Sequence, residues 1–239
     1  MSKKNLKFLL TLAMALVCLG ASAADIFKGN RYQGIGKIKG EPIDTWVNMT
    51  VDDGDLEFNM ANAFDFAAEY TLSGQGDKAV MNVKMPGSGI VALTSTDGGS
   101  TITGSFNRMG QQIDLWLLRI PAKLTASALP DSQLDGIVGS PDGYTAFVTI
   151  ALPNGQEMCA TSEFLLSSAD HSFKMTCDSP TVQKIFGTMQ GTYKVEGHRL
   201  MLTDTTGKSV SGEICDDGNY IKLPMGTAQG ITLNLVLIR

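Results

Sequence analysis

Histidine is scarce in this sequence of 239 residues, and motifs typical of common catalytic sites are missing. The two histidines are His171, which follows Asp170 in a predicted hairpin turn, and His198, which follows Gly197. Neither lies near a Gly-x-Ser-x-Gly motif, so we expect both to be turn residues rather than catalytic bases. The sequence therefore predicts no catalytic residue and no enzymatic activity.

A basic surface and metal-binding spacings are also missing. The chain has 19 basic and 24 acidic residues, and the basic residues form no cluster of the kind that binds nucleic acid. No Cys-x-x-Cys motif or Cys/His spacing typical of a metal site occurs, so we expect neither a metal nor a cofactor. After the N-terminal segment, no apolar run is long enough to span a membrane as a helix.

The N-terminal segment has the features of a secretory signal peptide. Three lysines precede the apolar run at residues 8–20, and Ala21-Ser22-Ala23 supplies the small residues that signal peptidase requires. We predict cleavage after Ala23, so that residues 1–23 are the signal peptide and the mature chain is exported to the periplasm or the cell surface. Lipidation of Cys18 is the alternative, disfavoured because Val17 is bulky and Cys18 lies inside the apolar run.

Cleavage leaves three cysteines, so at most one disulfide can form within the chain. Cys177 shares a strand face with Phe173 and Met175, whereas Cys159 lies opposite the apolar face of its own strand. A register that buries both apolar faces keeps these two sulfur atoms apart. We therefore predict that Cys159, Cys177 and Cys215 are buried thiols.

Short strands separated by glycine and aspartate turns account for most of the mature sequence, which predicts an all-β fold. In residues 45–51 and 56–60, for example, apolar and polar side chains alternate on either side of an Asp-Asp-Gly-Asp turn. The other predicted strands are 80–85, 90–94, 101–106, 113–120, 145–152, 157–166, 172–177, 191–195, 200–203, 209–215, 220–223 and 231–238. A linker at residues 121–130 divides the chain into two halves, residues 24–120 and 131–239.

Two local features stand out from this pattern. Ser179-Pro180 is typical of a helix start, and apolar residues follow at helical spacing, namely Val182, Ile185, Phe186 and Met189. This predicts a short helix at residues 180–187 over an opening or an edge of the sheet. The strand at residues 113–120 is apolar on both faces. Something must therefore cover its second face, formed by Trp116, Leu118 and Ile120, and the other half is the candidate.

Short motifs recur between the two halves and favour a duplication. Ile113-Asp-Leu-Trp-Leu-Leu-Arg119 matches Leu233-Asn-Leu-Val-Leu-Ile-Arg239, so each half ends in the same heptapeptide pattern. Tyr70-Thr-Leu-Ser-Gly74 matches Tyr193-Lys-Val-Glu-Gly197. The two shorter matches are Ile102-Thr-Gly104 with Val210-Ser-Gly212, and Gly34-Ile35 with Gly136-Ile137.

The Tyr-x-Val-x-Gly-x-x-Leu-x-Leu run that begins at Tyr193, the glycine-turned hairpins after it and the final LxLxLxR strand resemble bacterial lipocalin-like (calycin) barrels. The family's early Gly-x-Trp motif is absent, since Ile35 and Gly36 follow Gly34. The resemblance implies two tandem antiparallel β-barrels, to which the helix start at Ser179-Pro180 adds one short helix in the second half. Closure of each barrel would remove exposed sheet edges. Two sandwiches, or one larger sheet, are the alternatives.

Two acidic clusters have the Asp-Asp-Gly order of tight turns. They are Asp52, Asp53, Asp55 and Glu57 in the first half, and Asp216 and Asp217 in the second. Paired carboxylates can serve a glycoside hydrolase, and carboxylates also bind calcium, but the ligand spacing of an EF-hand is missing. We interpret both clusters as turns, with a hydrolase as the less favoured alternative.

Binding of a small molecule is the function that such a fold suits best, because small barrels contain either a packed core or one apolar ligand. The candidate ligand-binding residues are the large aromatics Trp46, Tyr70, Trp116 and Tyr193, each of which could instead pack in the core. Methionines could line an adaptable cavity; among them are Met49, Met60, Met81 and Met85.

We therefore expect an exported, non-catalytic binding protein for a small apolar or amphipathic ligand. The alternative is a structural or protein-interaction module of the cell envelope, with filled barrels and another envelope protein as its partner. The sequence identifies neither the ligand nor the oligomeric state.

Overall fold

The fold is built almost entirely from antiparallel β-strands. The computed structural model describes residues 25–239 apart from 62–63, 76–77, 141–142, 156, 178, 181–182, 184–187 and 229. Within that part, sixteen strands belong to one hydrogen-bonded sheet. None of the helices in the described ranges is long and apolar enough to cross a membrane.

The first eight strands form a closed antiparallel barrel in which each strand pairs with the next and β8 returns to β1. They are β1 (Arg31–Ile38), β2 (Asp44–Val51), β3 (Asp55–Met60), β4 (Phe64–Gln75), β5 (Lys78–Met85), β6 (Gly89–Ser95), β7 (Thr101–Arg108) and β8 (Gln111–Ile120). Gly34 lets β1 approach β8 closely, because a Cβ atom there would lie 2.1 Å from the carbonyl oxygen of Trp116.

Eight further strands follow a helix, α1 (Asp131–Val138). They are β9 (Thr145–Ala151), β10 (Glu157–Ser167), β11 (Ser172–Cys177), β12 (Thr188–Glu196), β13 (Arg199–Asp204), β14 (Ser209–Cys215), β15 (Tyr220–Ala228) and β16 (Ile231–Ile238). Consecutive strands of this set pair antiparallel, and β9 pairs with both β10 and β16. A two-residue pairing of β10 with β2 joins the two sets.

Strand alternation builds the core of the first barrel. In β3, Leu56, Phe58 and Met60 are buried, while the residues between them are exposed. Because successive side chains of a strand point to opposite faces, this pattern places one face of each strand inside the barrel. The interior is filled by large side chains that are almost fully buried: Tyr32, Phe58, Met49, Leu56, Met60, Met81, Leu93, Ile102 and Leu117.

The segment before β1 covers the end of the barrel at which β1 begins. The Phe27 ring is fully buried in the barrel core. Asp25 holds the turn, because its carboxylate accepts hydrogen bonds from the backbone N–H groups of Phe27 and Lys28, both at 3.0 Å. The backbone N–H of Gly29 donates to the carbonyl of Val51 at 2.8 Å. A short loop with one aromatic side chain therefore closes this end.

Helix α1 covers the corresponding end of the second set, where β9 begins. Leu134 and Val138 are buried against the core of β9–β16. The Asp131 carboxylate accepts hydrogen bonds from the backbone N–H groups of Gly197 at 2.8 Å and His198 at 2.9 Å, in the turn between β12 and β13. In each half, the cover is thus the segment that precedes the first strand.

A third apolar cluster lies between the two halves. It brings Trp46 of β2 and Phe147 of β9 together, and Trp116 and Leu118 of β8 pack against it. The other buried members are Ile120, Cys159, Cys215, Tyr220, Val236 and Ile238. The expectation that the second half covers the outer face of β8 is therefore confirmed. We call this cluster the joint.

Most strand predictions are confirmed, and three of them, 172–177, 209–215 and 231–238, match β11, β14 and β16 residue for residue. Strands β1 and β4 were not predicted, and neither was α1, whose residues begin the predicted second half. Of the helix predicted at 180–187, only Pro180 and Gln183 lie within the described residues. Both are helical, and the N–H of Gln183 donates to the carbonyl of Ser179.

The predictions that the three cysteines are buried thiols and that both histidines lie in turns are confirmed. Cys159 and Cys215 are buried free thiols in the joint, while Cys177 lies in the core of β9–β16 with its sulfur 3.1 Å from the Ser162 hydroxyl. Cys159 and Cys177 thus belong to different clusters, as the strand faces predicted. His171 and His198 both have positive φ angles, which are typical of turns.

Two of the four matched motifs occupy equivalent strands and two do not. Tyr70 and Tyr193 lie in the fourth strand of each set, and the matched heptapeptides run along the eighth. However, Ile102 lies in the seventh strand of its set and Val210 in the sixth, while Gly34 lies in a strand and Gly136 in helix α1. These two shorter alignments are therefore wrong.

Candidate functional site

Of the four aromatic residues predicted to bind a ligand, two lie together in the joint. Trp46 is 5% exposed and packs edge-on against Phe147, with ring centroids 5.4 Å apart. The ring of Trp116 lies 5.8 Å from the same phenylalanine. Both indoles thus pack between the two halves and outside the interior of the first barrel.

Tyr70 stabilises the cover of the first barrel. Its hydroxyl contacts the Asp25 carboxylate and lies 2.8 Å from the carbonyl oxygen of Asp52. Burial is the main cause of its raised pKa, and the hydrogen bond to Asp25 adds to it. These contacts connect β4 to the loop before β1, so the side chain has a structural role.

Tyr193 lies under α1, in the second half. Its side chain is almost completely buried, and its hydroxyl has no hydrogen-bond partner among the described residues. The ring lies 5.3 Å from that of His171, whose Nε2 is 3.1 Å from a carboxylate oxygen of Asp135 in α1. Burial raises the pKa of Tyr193, and the negative charges of Asp135 and Asp170 raise it further. The four predicted residues thus occupy three separate places.

Asp52 and Asp53 lie in the turn between β2 and β3, and Asp216 and Asp217 lie in the turn between β14 and β15, as predicted, whereas Asp55 and Glu57 belong to β3. Asp216 and Asp217 both have positive φ angles, and Asp217 accepts a hydrogen bond from the Ser127 hydroxyl at 2.7 Å. In the first half, Asp53 pairs with Lys28 at 2.7 Å. Among the described residues, no group of three or more His, Cys, Asp or Glu side chains is arranged to hold a metal ion.

Half-exposed apolar side chains gather at one end of β9–β16, opposite α1. At this end β9, β11, β13 and β15 finish, and β10, β12, β14 and β16 begin. The apolar side chains there pack against the core of the second set while remaining partly exposed: Leu152, Met158, Met189, Val210, Met225, Ile231 and Leu233. We call this region the open end.

A small cavity lies at the open end, and a shallow recess lies over β10, β11 and β12, near the turn between β10 and β11. The smaller, of about 60 Å³, is lined by Met189 and Met225 together with Phe173, Leu202 and Val210, and Asp204 and Lys208 form its polar rim. The larger is a shallow recess of about 530 Å³. It shares Phe173 with the small cavity, and it is otherwise lined by Leu165, Leu166, Ser167, Ser172, Lys174, Gln190, Gly191, Thr192 and Thr205.

The methionines that the sequence pointed to lie elsewhere. Met49, Met60, Met81 and Met85 lie in the filled core of the first barrel, where each is at most 3% exposed. Met189 was assigned to the apolar stripe of the predicted helix, but it belongs to β12. Met189, Gly191 and Tyr193 are spaced two residues apart, which places all three on one face of a strand. This spacing was the signal that Met189 belongs to a strand.

Comparisons with known proteins add little to this description. No family model matches the chain, and no curated protein matches it. A solved structure to which it is similar is that of a protein of unknown function from the DUF3598 family of Nostoc punctiforme. The identity is 10%, over 91% of this chain and 97% of that chain, with a TM-score of 0.26. A similarity at this level carries no argument about fold or function.

Proposed function

We propose that this protein is an exported, non-catalytic binding protein that takes a small apolar or amphipathic molecule at the open end of β9–β16. The observation that carries the proposal is the set of half-exposed apolar side chains around the cavity between Met189 and Met225. Solvent-facing apolar side chains collected at one end of a core are typical of a ligand entrance.

The proposed architecture is two tandem lipocalin-like barrels, residues 24–120 and 131–239, joined by residues 121–130. The pairing of β9 with both β10 and β16 supports closure of the second set, because each strand then has two neighbours. The equivalent positions of the matched tyrosines and of the terminal heptapeptides support a duplication. Eight antiparallel strands are also the number found in lipocalins.

In this proposal, a ligand enters the core of β9–β16 only from the open end. Helix α1 covers the end at which β9 begins, and its buried Leu134 fills space that a ligand would need there. The open end instead offers methionines, whose unbranched side chains change conformation at low cost. The cavity of about 60 Å³ is smaller than typical ligand pockets of roughly 300–1,000 Å³, so Met189 and Met225 must move when a ligand enters.

The polar rim of the small cavity supplies a place for a head group. Asp204 and Lys208 lie there, beside Val210 and Met225. A ligand with an apolar tail between the methionines and a polar head towards Lys208 would contact both the core and this rim. This arrangement favours an amphipathic molecule over a purely apolar one.

Export is part of the same proposal. Asp25 and Phe27, close behind the predicted cleavage site, already cover the first barrel. Cleavage after Ala23 would leave this cover intact, which supports the predicted signal peptide.

Binding of the fluorescent amphipathic dye 1-anilinonaphthalene-8-sulfonate to the mature chain tests the proposal. We expect Met225→Lys to weaken dye binding about tenfold, because the ammonium group is costly to place among apolar side chains. Met109→Lys is the matched control. Met109 is 93% exposed on the first barrel, so the same substitution there should leave the affinity unchanged. Equal binding by both variants and the parent would contradict the proposed site.

Native mass spectrometry of the purified mature chain, followed by solvent extraction, then identifies the ligand class. A small molecule released on denaturation, and lost from Met225→Lys, is the expected result. Retention of that molecule by the variant would place it elsewhere in the protein.

A second function is favoured by the first barrel, whose interior is filled. It is a structural or protein-interaction module of the cell envelope, and the exposed Ile90 and Met109 at one end of that barrel favour it. Analytical ultracentrifugation with candidate envelope proteins tests this function. Complex formation that is lost in the double variant Ile90→Asp, Met109→Asp would support it, whereas complex formation unaffected by those substitutions would contradict it.

A further inference from the structure

A second concave site lies at the joint, formed by residues of both halves. It is a cleft of about 280 Å³ at the end of the second half that α1 covers, away from the open end. The first half contributes Ser100, Thr101, Leu118 and Arg119, and the second contributes Gly143, Thr145, Ile238 and Arg239. The cleft is independent of the proposed function.

The two arginines are the last residues of the matched heptapeptides, so the duplicated pattern places both on one cleft. Arg119 is anchored weakly, with an Nη2 atom 3.5 Å from the Ser100 hydroxyl. Arg239 donates from Nε to the carbonyl oxygen of Gly143 at 3.2 Å, and its guanidinium carbon lies 4.5 Å from the centre of the Tyr144 ring. These contacts orient both side chains and leave several N–H donors of each guanidinium for a ligand.

Neither arginine is neutralised by a carboxylate side chain within the described part of the chain. The ion pairs there are Lys28 with Asp53, His171 with Asp135, and Lys194 with Glu196. Asp97 lies near the Ser100 wall, but one of its oxygens accepts hydrogen bonds from the Ser95 hydroxyl at 2.8 Å and the backbone N–H of Thr101 at 2.9 Å. These hydrogen bonds hold its carboxylate against the Thr101 wall of the cleft, and it forms no ion pair with either arginine.

Two exposed guanidinium groups at one cleft are notable in a chain whose net charge is −5. A guanidinium fork matches the paired oxygens of a carboxylate or a phosphate, and hydroxyl groups such as those of Ser100 and Thr145 add further donors. We propose that this cleft binds a small anion through a phosphate or carboxylate group, held by Arg119 from one half and Arg239 from the other.

Isothermal titration calorimetry of the mature chain with inorganic phosphate, and separately with succinate, tests the site. We expect one of the two anions to bind more tightly. Tighter binding of phosphate would identify a phosphate group as the one that the cleft prefers, and tighter binding of succinate would identify a carboxylate. Arg119→Gln and Arg239→Gln should each lower the affinity about tenfold, because each removes a charge-assisted hydrogen-bond partner. Binding should also weaken as sodium chloride screens the charges.

Arg199→Gln is the matched control. This exposed arginine on β13 contacts Ser211, away from the cleft, and its removal changes the net charge equally. We expect it to leave the affinity within about twofold. Arg119→Lys keeps the charge but loses the fork, so it should retain only part of the affinity and also controls for loss of folding. Absence of binding by the parent, or an equal loss in Arg199→Gln, would overturn the proposal.

Discussion

The two halves differ less in how they are covered than in how they are filled. Each is covered by the segment before its first strand, through Phe27 in the first half and Leu134 in the second. Inside, the first barrel holds Tyr32, Phe58 and the buried methionines and leaves Phe64 and Phe66 partly exposed at its far end, whereas the second set leaves Met189 and Met225 partly exposed there. Because methionine side chains change conformation more easily than phenylalanine rings, this difference favours the second half as the place for a ligand.

Removing the covering side chain of each half should have the largest effect on stability. We expect Phe27→Ala to lower the free energy of unfolding by about 3–5 kcal/mol and Leu134→Ala by about 2–5 kcal/mol, because both side chains are fully buried and the ring is larger. Urea unfolding followed by circular dichroism measures both. A greater loss of unfolding free energy in Leu134→Ala than in Phe27→Ala would mean that α1 contributes more to stability than the loop before β1 does.

The matched tyrosines offer a sharper comparison, since their hydroxyl groups have opposite surroundings. Tyr70→Phe should cost about 1–3 kcal/mol, because it removes the contacts with Asp25 and Asp52. Tyr193→Phe should be neutral or slightly stabilising, because the buried hydroxyl of Tyr193 has no partner among the described residues. The same urea titration measures both variants. A destabilised Tyr193→Phe would reveal a partner, such as a buried water, under α1.

Alkaline pH should lower the stability of both halves. Tyr32 donates a hydrogen bond to the carbonyl of Gly99 and Tyr144 to that of Gly218. Burial raises the pKa of both tyrosines, that of Tyr144 to about 12, while an unfolded tyrosine ionises near pH 10. Their stabilisation is therefore complete below about pH 10 and is lost as the pH rises through the folded-state pKa.

Urea midpoints measured between pH 8 and pH 12 test this loss. Above pH 10, the free energy of unfolding of the parent should fall as the pH rises. Each of Tyr32→Phe and Tyr144→Phe should make this fall less steep, by up to about 1.4 kcal/mol per pH unit. An unchanged slope in either variant would show that its tyrosine ionises equally in the folded and unfolded chain.

The smallest expected effect concerns Asp131, which connects α1 to the β12–β13 turn. Hydrogen bonds from the backbone N–H groups of His198 and Gly197 lower the pKa of this carboxyl group. Its stabilisation is therefore present above the unfolded pKa of about 3.9 and lost as the pH falls through the lower folded pKa. Asp131→Asn should lower the melting temperature slightly at pH 7, and the difference should disappear in strong acid. A difference that persists there would exclude the charge as its cause.

The strands that the sequence predicted best are those whose alternation is regular. In β11, β14 and β16 apolar and polar side chains alternate over most of the strand, so the ends could be located. β1 contains Gly34 and Gly36, and β4 begins Phe-Asp-Phe-Ala-Ala-Glu, where small and charged residues obscure the period. Both strands form because each is hydrogen-bonded to a neighbouring strand on either side. This pairing cannot be seen in the local sequence of the strand itself.

Helix α1 was missed for a related reason. Its eight residues include a glycine, and no side chain caps its N-terminus. Contacts distant in sequence hold the helix in place, above all the hydrogen bonds between the Asp131 carboxylate and the backbone of Gly197 and His198.

The position of the candidate site also depends on contacts between residues that are distant in sequence. The sequence left open whether methionines line a cavity or fill gaps in the core, and only the packing separates the filled core around Met60 from the open end at Met189.

The joint has a consequence for the protein's biosynthesis. Trp116, Leu118 and Ile120 end the first half, yet their cover includes Phe147 and Ile238, the latter almost at the last residue of the sequence. A ribosome adding about 5–20 residues per second needs roughly 6–24 seconds for residues 121–239. During that interval the outer apolar face of β8 lacks the side chains that the second half supplies, so the nascent protein is exposed to aggregation and to capture by chaperones.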